Sequence, residues 1–280
     1  MQRSVIDNPL NPLSDLSFVK AYSASLQVFE RTTRQYAKPK WTLSKVSSAN
    51  NKVSMQTVMK LDFCDLLKFS INSNAVRPKI LLIAPLSGHF ATLLTGTVKA
   101  LVEDFDIYLT DWKDSRDIPL YKGKFNFSTY IDYLVQFMAK LGPKHHLIAV
   151  CQPGPAALVA TSYVAQKKMP FSPSSLILMG CPIDTRLSPT EPNRLAESKP
   201  LEWFESNVIV NVPYPRLGYL RRVYPGFLQL SGFMTMNLSR HMLAHKQLFT
   251  NLVKGDGDSV HAHRDFYDEY LAVMDLPAEY

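Results

Sequence analysis

The residues best equipped for chemistry lie where an apolar run meets a helix start. His146-Leu147-Ile148-Ala149-Val150 reads as a buried strand that continues through Cys151 and Gln152 into Pro153-Gly154-Pro155-Ala156. A thiol at a strand-to-helix turn occupies the position of a nucleophile elbow, in which the reactive side chain sits in a strained conformation above a sheet and small residues flank it two positions away. Ala149 meets that need. Pro153 stands where the G-x-S-x-G template has its second glycine, and proline suits a first helical turn, whose N–H would be unsatisfied anyway. A helix N-terminus also places partial positive charge beside the sulfur and favours the thiolate, the reactive form. The alternative for the same residue is a buried structural cysteine.

Acyl transfer needs hydrogen-bond donors for the developing oxyanion, one from the residue after the nucleophile and one from the loop after an earlier strand. Gln152 supplies the first. The run ending at Pro85 leads into Leu86-Ser87-Gly88-His89, so Ser87 or Gly88 is the expected second donor; an ordinary loop before a helix is the alternative. Cys64 and Cys181 have weaker settings, in a mixed apolar-polar run and just past a strand end. His241-Met242-Leu243-Ala244-His245 puts two imidazoles on one helical face, but the glutamate of H-E-x-x-H is missing. His261-Ala262-His263 and Asp256-Gly257-Asp258 lack a third ligand or calcium-loop spacing, so no metal and no cofactor is expected.

The elements that must position these groups follow from periodicity. Residues 15–35 carry apolar positions near a 3.6-residue spacing, with Ser14 as N-cap, and predict an amphipathic helix. Residues 38–51 read as a polar, basic linker. Residues 53–71 predict one or two strands, although 62–68 reads equally well as helix. From Pro78 the rhythm sharpens: strand 79–85, helix 91–102, strand 106–109, helix 126–141 stopped by Gly142-Pro143, strand 146–150, helix 153–168 and strand 175–180. Repeated strand–helix units predict a mostly parallel sheet with helices on both faces. After Cys181 the alternation breaks, and residues 182–280 are expected to form a cap or lid. The expected division is therefore residues 1–51, residues 52–181 and residues 182–280.

Composition bounds the rest. The 280 residues are 46% hydrophobic and 20% charged, which excludes a disordered or collagen-like chain. Apolar runs are far shorter than the roughly 18–20 residues that span a bilayer, so no membrane span is expected. An acid and a proline in the first nine residues argue against a secretory signal. Three cysteines suit a reducing cytoplasm better than a disulfide framework. Seven basic residues (Arg31, Arg34, Lys38, Lys40, Lys45, Lys52, Lys60) face one acid, Glu30, between positions 30 and 60. No zinc-finger, recognition-helix or aromatic RNA-binding pattern accompanies them, so a solvated basic face is expected and nucleic acid is not.

At these residues the chain resembles the intracellular polyhydroxyalkanoate (polyhydroxybutyrate) depolymerases, bacterial enzymes that hydrolyse stored polyester. The resemblance rests on residues 84–94, Tyr108-Leu109-Thr110-Asp111-Trp112, Val150-Cys151-Gln152-Pro153, Pro182-Ile183-Asp184-Thr185-Arg186, Pro192-Asn193-Arg194-Leu195-Ala196, and residues 223–230 and 266–276. It runs from about Pro78 onward, and the first seventy residues match more loosely. It implies an α/β-hydrolase with cysteine where lipases carry serine, and Cys151 falls on that position.

The same resemblance implies a deficiency. In that fold the acid and then the histidine follow the nucleophile on loops after later strands, and family members continue well past the block ending Asp275-Leu276. The expectation is thus an α/β-hydrolase-like, mostly parallel sheet with a cap insertion, incomplete on its C-terminal side as a truncated or split frame would be. The function implied is ester hydrolysis of stored polyhydroxybutyrate through a Cys151 acyl-enzyme, with Gln152 and the Ser87–Gly88 loop holding the oxyanion. Activity of the chain alone is expected to be slight, because losing triad members typically costs several powers of ten in rate. Expected partners are the polymer or its granule and a complementing C-terminal fragment, and the expected location is the cytoplasm, at the granule surface. The rivals are an inactive granule-binding remnant and a polyester synthase-like acyltransferase, whose elbow would read G-x-C-x-G.

Overall fold

The computed structural model describes residues 17–33, 36–43, 53–71, 76–236, 238–254 and 256–280. The predicted N-terminal helix appears as α1 (Ser17–Thr33); its expected cap, Ser14, and both expected ends lie outside the described residues. The chain divides into two compact units. One takes residues up to 39 with residues 230–273, and the other takes residues 40–229 with residues 274–280. Residues 182–229 thus group with the sheet, and residues 230–273 with the N-terminal helix.

The larger unit is built on six strands: β1 (Val53–Lys60), β2 (Cys64–Ile71), β3 (Lys79–Ile83), β4 (Asp106–Trp112), β5 (His145–Val150) and β6 (Ser175–Met179). They lie in the order β1-β2-β4-β3-β5-β6. β1 and β2 are antiparallel to their neighbours, whereas β4, β3, β5 and β6 run parallel. The helical alternative over residues 62–68 does not occur. Tertiary contacts decide it: Leu66 and Phe69 are fully buried, and Lys68 pairs with Asp106 at 2.8 Å while Asp65 pairs with Lys113 at 2.7 Å across the strand pair.

The inner parallel strands β4, β3 and β5 read as largely apolar runs because they are buried in the sheet, as parallel strands covered on both faces are. In β3, Leu81, Leu82 and Ile83 are fully buried, each side chain contributing about 1.5–3 kcal/mol by leaving water. The crossovers are α2 (Thr95–Leu101), α3 (Phe127–Leu141) and α4 (Gly154–Gln166). The helix predicted over residues 91–102 begins instead with a 3₁₀ turn, Ala91–Leu94, and the Thr95 hydroxyl donates back to the Thr92 carbonyl at 2.5 Å. α3 starts at Asn126, whose side-chain oxygen accepts the Thr129 N–H at 3.0 Å, and stops at Gly142, which takes φ +73°. Its buried stripe, Tyr130, Leu134, Phe137, Met138 and Leu141, has the spacing of one helix face.

Residues after β6 add α5 (Glu191–Ser198), α6 (Leu201–Asn207) and a small antiparallel sheet of β7 (Val210–Asn211), β8 (Arg222–Tyr224) and β9 (Leu276–Pro277). Arg221 ties this region to the loop after β4. Its buried guanidinium donates to the carbonyls of Ile118 (2.8 Å), Gly123 (2.8 Å) and Pro119 (2.6 Å) and lies over the Phe63 ring. The boundary between units falls within α7 (Gly226–Met236). The smaller unit packs α1 with α8 (Leu238–Lys254) and α9 (Gly257–Tyr270), the last capped by the Asp256 carboxylate on the Ser259 N–H. No helix among the described residues is long and apolar enough to cross a membrane.

Candidate active site

The sheet order locates a crevice before any side chain is considered. From β3 the chain crosses to β4 on one side, and from β5 it crosses to β6 on the other, yet β3 and β5 are adjacent. The loops leaving their C-terminal ends therefore diverge, and such a switch point is where open α/β sheets bind ligands. The register pairs Leu82 with Ile148 and Ile83 with Ala149, so the residues that follow, Pro85 to Gly88 and Cys151 to Gln152, emerge side by side.

Cys151 is the first residue beyond β5 and adopts φ +64°. A non-glycine residue in the left-handed region is strained and persists only where its surroundings fix it. Here the Cys151 N–H donates to the Met179 carbonyl at 2.8 Å, and the Cys151 carbonyl accepts the Gly154 N–H at 3.3 Å as the chain turns into α4. The thiol is exposed. Beneath it, Ala149 is fully buried.

The close-packed position on the far side of the turn is Gly154, not residue 153 as the G-x-S-x-G spacing had it. A Cβ on Gly154 would stand 2.3 Å from the Cys181 Cβ and 2.7 Å from its sulfur, so only glycine fits. Cys181, at the end of β6, donates its S–H to the Ala149 carbonyl at 3.3 Å. Burial first, and the neighbouring Cys151 sulfur second, push the Cys181 thiol up, so it stays protonated beside Cys151. Cys64 is fully buried in β2.

The exit of β3 is equally fixed. The Ala84 N–H donates to Thr110 Oγ1 at 2.9 Å, and the Trp112 indole donates to the Ala84 carbonyl at 2.9 Å, both from β4. The Leu86 N–H then donates to Gln152 Oε1 at 3.1 Å, which joins the β3 loop to the residue after Cys151. Gly88 takes φ +93°, and its carbonyl accepts the Met274 N–H at 2.7 Å. A Cβ there would press against Gln229 Oε1 at 3.0 Å. Among the described residues, the N–H groups of Ser87, Gly88 and Gln152 donate to nothing.

All four residues singled out from sequence thus lie at one switch point. What sequence reasoning missed is the use of the Gln152 side chain, whose Nε2 donates to the Tyr280 hydroxyl; no local pattern joins positions 128 residues apart. No histidine bonds the Cys151 sulfur among the described residues. His145 and His146 stand at the opposite end of β5, the latter with Nδ1 2.8 Å from Ser175 Oγ. In the smaller unit, His263 stacks on the Tyr267 ring and His245 packs tilted against it, while the side chains of His241 and His261 lie outside the described residues.

A strained residue at a strand-to-helix turn, a β4-β3-β5-β6 parallel core and a loop of uncommitted amides on the neighbouring strand decide the fold. It is α/β-hydrolase-like. A family model described as PHB de-polymerase C-terminus matches residues 180–280. No curated protein matches the chain. Solved structures similar to it include a candidate lipase from Acinetobacter baumannii (17% identity, 77% of this chain and 67% of that one, TM-score 0.38). They include the bacterial brefeldin A esterase (12% identity, 68% and 55%, TM-score 0.39) and a bacterial membrane phospholipase A (17% identity, 71% and 61%, TM-score 0.40). The chain spans from 55% to 67% of the length of these three proteins.

Proposed function

We infer that this hydrolase-like chain acts on esters through Cys151, and that its substrate is a stored polyhydroxyalkanoate such as polyhydroxybutyrate. The observation that carries the first part is the strained, exposed Cys151 at a switch point with three amides that donate to nothing among the described residues, which is a nucleophile next to a place for negative charge. The substrate class draws support from the depolymerase family model over residues 180–280. The same stretch exposes large apolar side chains, Leu187, Leu201, Tyr214, Leu217 and Phe227, at between 61% and 81%, and a hydrophobic polymer is a partner for such side chains. This reading places the protein at the surface of storage granules in the cytoplasm.

The chemistry proceeds in two steps. The Cys151 sulfur forms a bond to the ester carbonyl carbon, and the carbonyl π pair moves onto oxygen, where the N–H groups of Gln152 and of Ser87 or Gly88 receive it. Collapse of that oxyanion breaks the carbon–oxygen bond, and the departing hydroxyl end takes the proton that left the thiol. Water then attacks the thioester, releases the hydroxy acid and returns the proton to sulfur. A base for the first transfer belongs to a complementing polypeptide that adds a strand beside β6, whose outer edge pairs with no strand among the described residues.

A second reading, a granule-bound protein without hydrolysis, is favoured by the observation that no histidine among the described residues bonds the Cys151 sulfur. The two are separated with amorphous polyhydroxybutyrate granules and the purified chain. Slow release of hydroxy acid that Cys151→Ala abolishes, and that co-expression of a complementing fragment accelerates, is the expected result. Co-sedimentation with no release under either condition selects the binding reading.

A further inference from the structure

Residues 274–280 touch both loops that flank Cys151. At one end the Met274 N–H donates to the Gly88 carbonyl at 2.7 Å. Next, the Asp275 N–H donates to Asp114 Oδ1 at 3.2 Å, its carbonyl accepts the Ser115 N–H at 3.0 Å, and its carboxylate accepts the Gly226 N–H at 3.0 Å. Leu276 and Pro277 pair with β8. At the other end the Tyr280 hydroxyl accepts from Gln152 Nε2. The segment is anchored throughout its length, so the group it presents to Gln152 has a fixed position.

The Tyr280 ring is held as firmly. It lies 5.2 Å from the Tyr130 ring and 5.9 Å from that of Phe125, both fully buried, in the cluster that contains Trp112. Trp112 is also the residue that holds the Ala84 carbonyl at the exit of β3. Burial pushes the Tyr280 hydroxyl up to about 12, so it keeps its proton throughout the working range. One rigid aromatic cluster therefore supports the β3 loop directly, through Trp112, and indirectly, through Tyr280.

Gln152 has two roles in this arrangement. Its backbone N–H is one of the uncommitted donors beside Cys151. Its carboxamide bridges Tyr280 and the Leu86 N–H, and Leu86 immediately precedes the Ser87–Gly88 peptide. An amide with both ends engaged cannot rotate, so the separation between the Gln152 N–H and the Ser87–Gly88 donors is preset. Donors for an oxyanion act through such preorganisation, because they incur no reorientation cost as charge develops.

We propose that Tyr280, through the carboxamide of Gln152, is a positioning residue that holds the two halves of the oxyanion site at their working separation. This rests on the reading of Cys151 as an acyl-accepting nucleophile, and nothing in the sequence near position 151 points to it.

The test compares two reactions at the same sulfur in the full chain. Acylation by p-nitrophenyl butyrate passes through an oxyanion and expels a leaving group that needs no proton, so it can be followed as a burst without a general base. Alkylation by iodoacetamide forms no oxyanion. In Tyr280→Phe and in Gln152→Leu, acylation is expected to slow about 10- to 100-fold, somewhat less than the loss of a whole donor, while alkylation stays within about twofold of the parent. Unchanged acylation in both variants overturns the proposal. So does an equal slowing of both reactions, which marks a general loss of structure, and a melting curve for each variant identifies it. If the parent itself is not acylated at Cys151 although iodoacetamide labels it, the nucleophile reading fails first, so the two failures are distinguishable.

Discussion

β5 and β6 are adjacent parallel strands of similar composition, yet they meet opposite environments. In β5, Leu147 and Ala149 are fully buried; in β6, Ile177 is 48% and Met179 45% exposed. β5 lies between β3 and β6, whereas β6, which α4 contacts as well, has a paired neighbour on one edge alone among the described residues. An apolar run specifies a strand that can be buried on both faces, and coverage decides whether it is. Cys151 follows the covered strand, at a turn held by Met179 and Gly154. The β6 side supplies Cys181 as packing for Gly154 and otherwise presents side chains suited to a covering that the described residues do not provide.

The largest way to sharpen that contrast is to cut the same kind of side chain on both sides. Leu82→Ala in β3 opens a cavity at a fully buried site and is expected to cost about 3–5 kcal/mol. Ile177→Ala in β6 is expected to cost less than about 1 kcal/mol. Urea unfolding of the two variants measures the difference, and comparable losses would mean that β6 is covered in solution.

Next in size is the contact between the start of α4 and the residue that follows β6, Gly154 against Cys181. Gly154→Ala drives a methyl into the Cys181 side chain and is expected to destabilise by about 1–3 kcal/mol. Adding Cys181→Gly removes the opposing Cβ and should recover part of the loss, read as coupling in a double-mutant cycle. Additive losses would place the strain in the backbone instead.

This contact also marks how far the sequence could be read. The strand–helix alternation after Pro78 was legible because buried strands are short apolar runs and because Gly142-Pro143 must stop a helix. Cys151 was legible for the same reason: an apolar run enters Pro153-Gly154 directly. The template spacing puts the second close-packed position at Pro153, one residue before Gly154, since a spacing does not know where the neighbouring strand will put Cys181. The order β4-β3-β5, which creates the crevice, depends on crossovers that leave no local signature. The same holds for the association of residues 17–33 with residues 230–273, and for the bond from Gln152 to Tyr280. Two-strand pairing over residues 53–71 was undecided because its reasons, the ion pairs to Asp106 and Lys113, come from β4 and its exit.

A smaller effect tests the far end of β5. His145 is buried with Nδ1 2.6 Å from the Gly142 carbonyl and no partner on Nε2. Burial, ahead of the opposing Gly142 contact, holds its imidazole below the ordinary range. The unfolded chain therefore binds that proton more readily. Stability from this group is present above the unfolded value of about 6.5 and is lost as pH falls from there through the folded value. Urea midpoints should decline over that window, and His145→Gln should flatten the decline without altering iodoacetamide labelling of Cys151 at the other end of the strand.

The smallest free-energy change is expected on the exposed strand, and it separates stability from association. Ile177→Lys with Met179→Lys places two charges on one face of β6, where the present side chains are about half exposed, and should alter stability by no more than about 0.5 kcal/mol. Edge strands with apolar faces recruit further strands, and lysines oppose that recruitment. The double variant should therefore remain soluble at concentrations where the parent sediments, while the labelling rate of Cys151 stays the same. A complementing polypeptide that pairs with β6 would lose its seat in this variant, so acceleration by co-expression should disappear together with the aggregation. If acceleration survives the two lysines, the complementing strand docks elsewhere, and the exposure of β6 has no bearing on how Cys151 obtains its base.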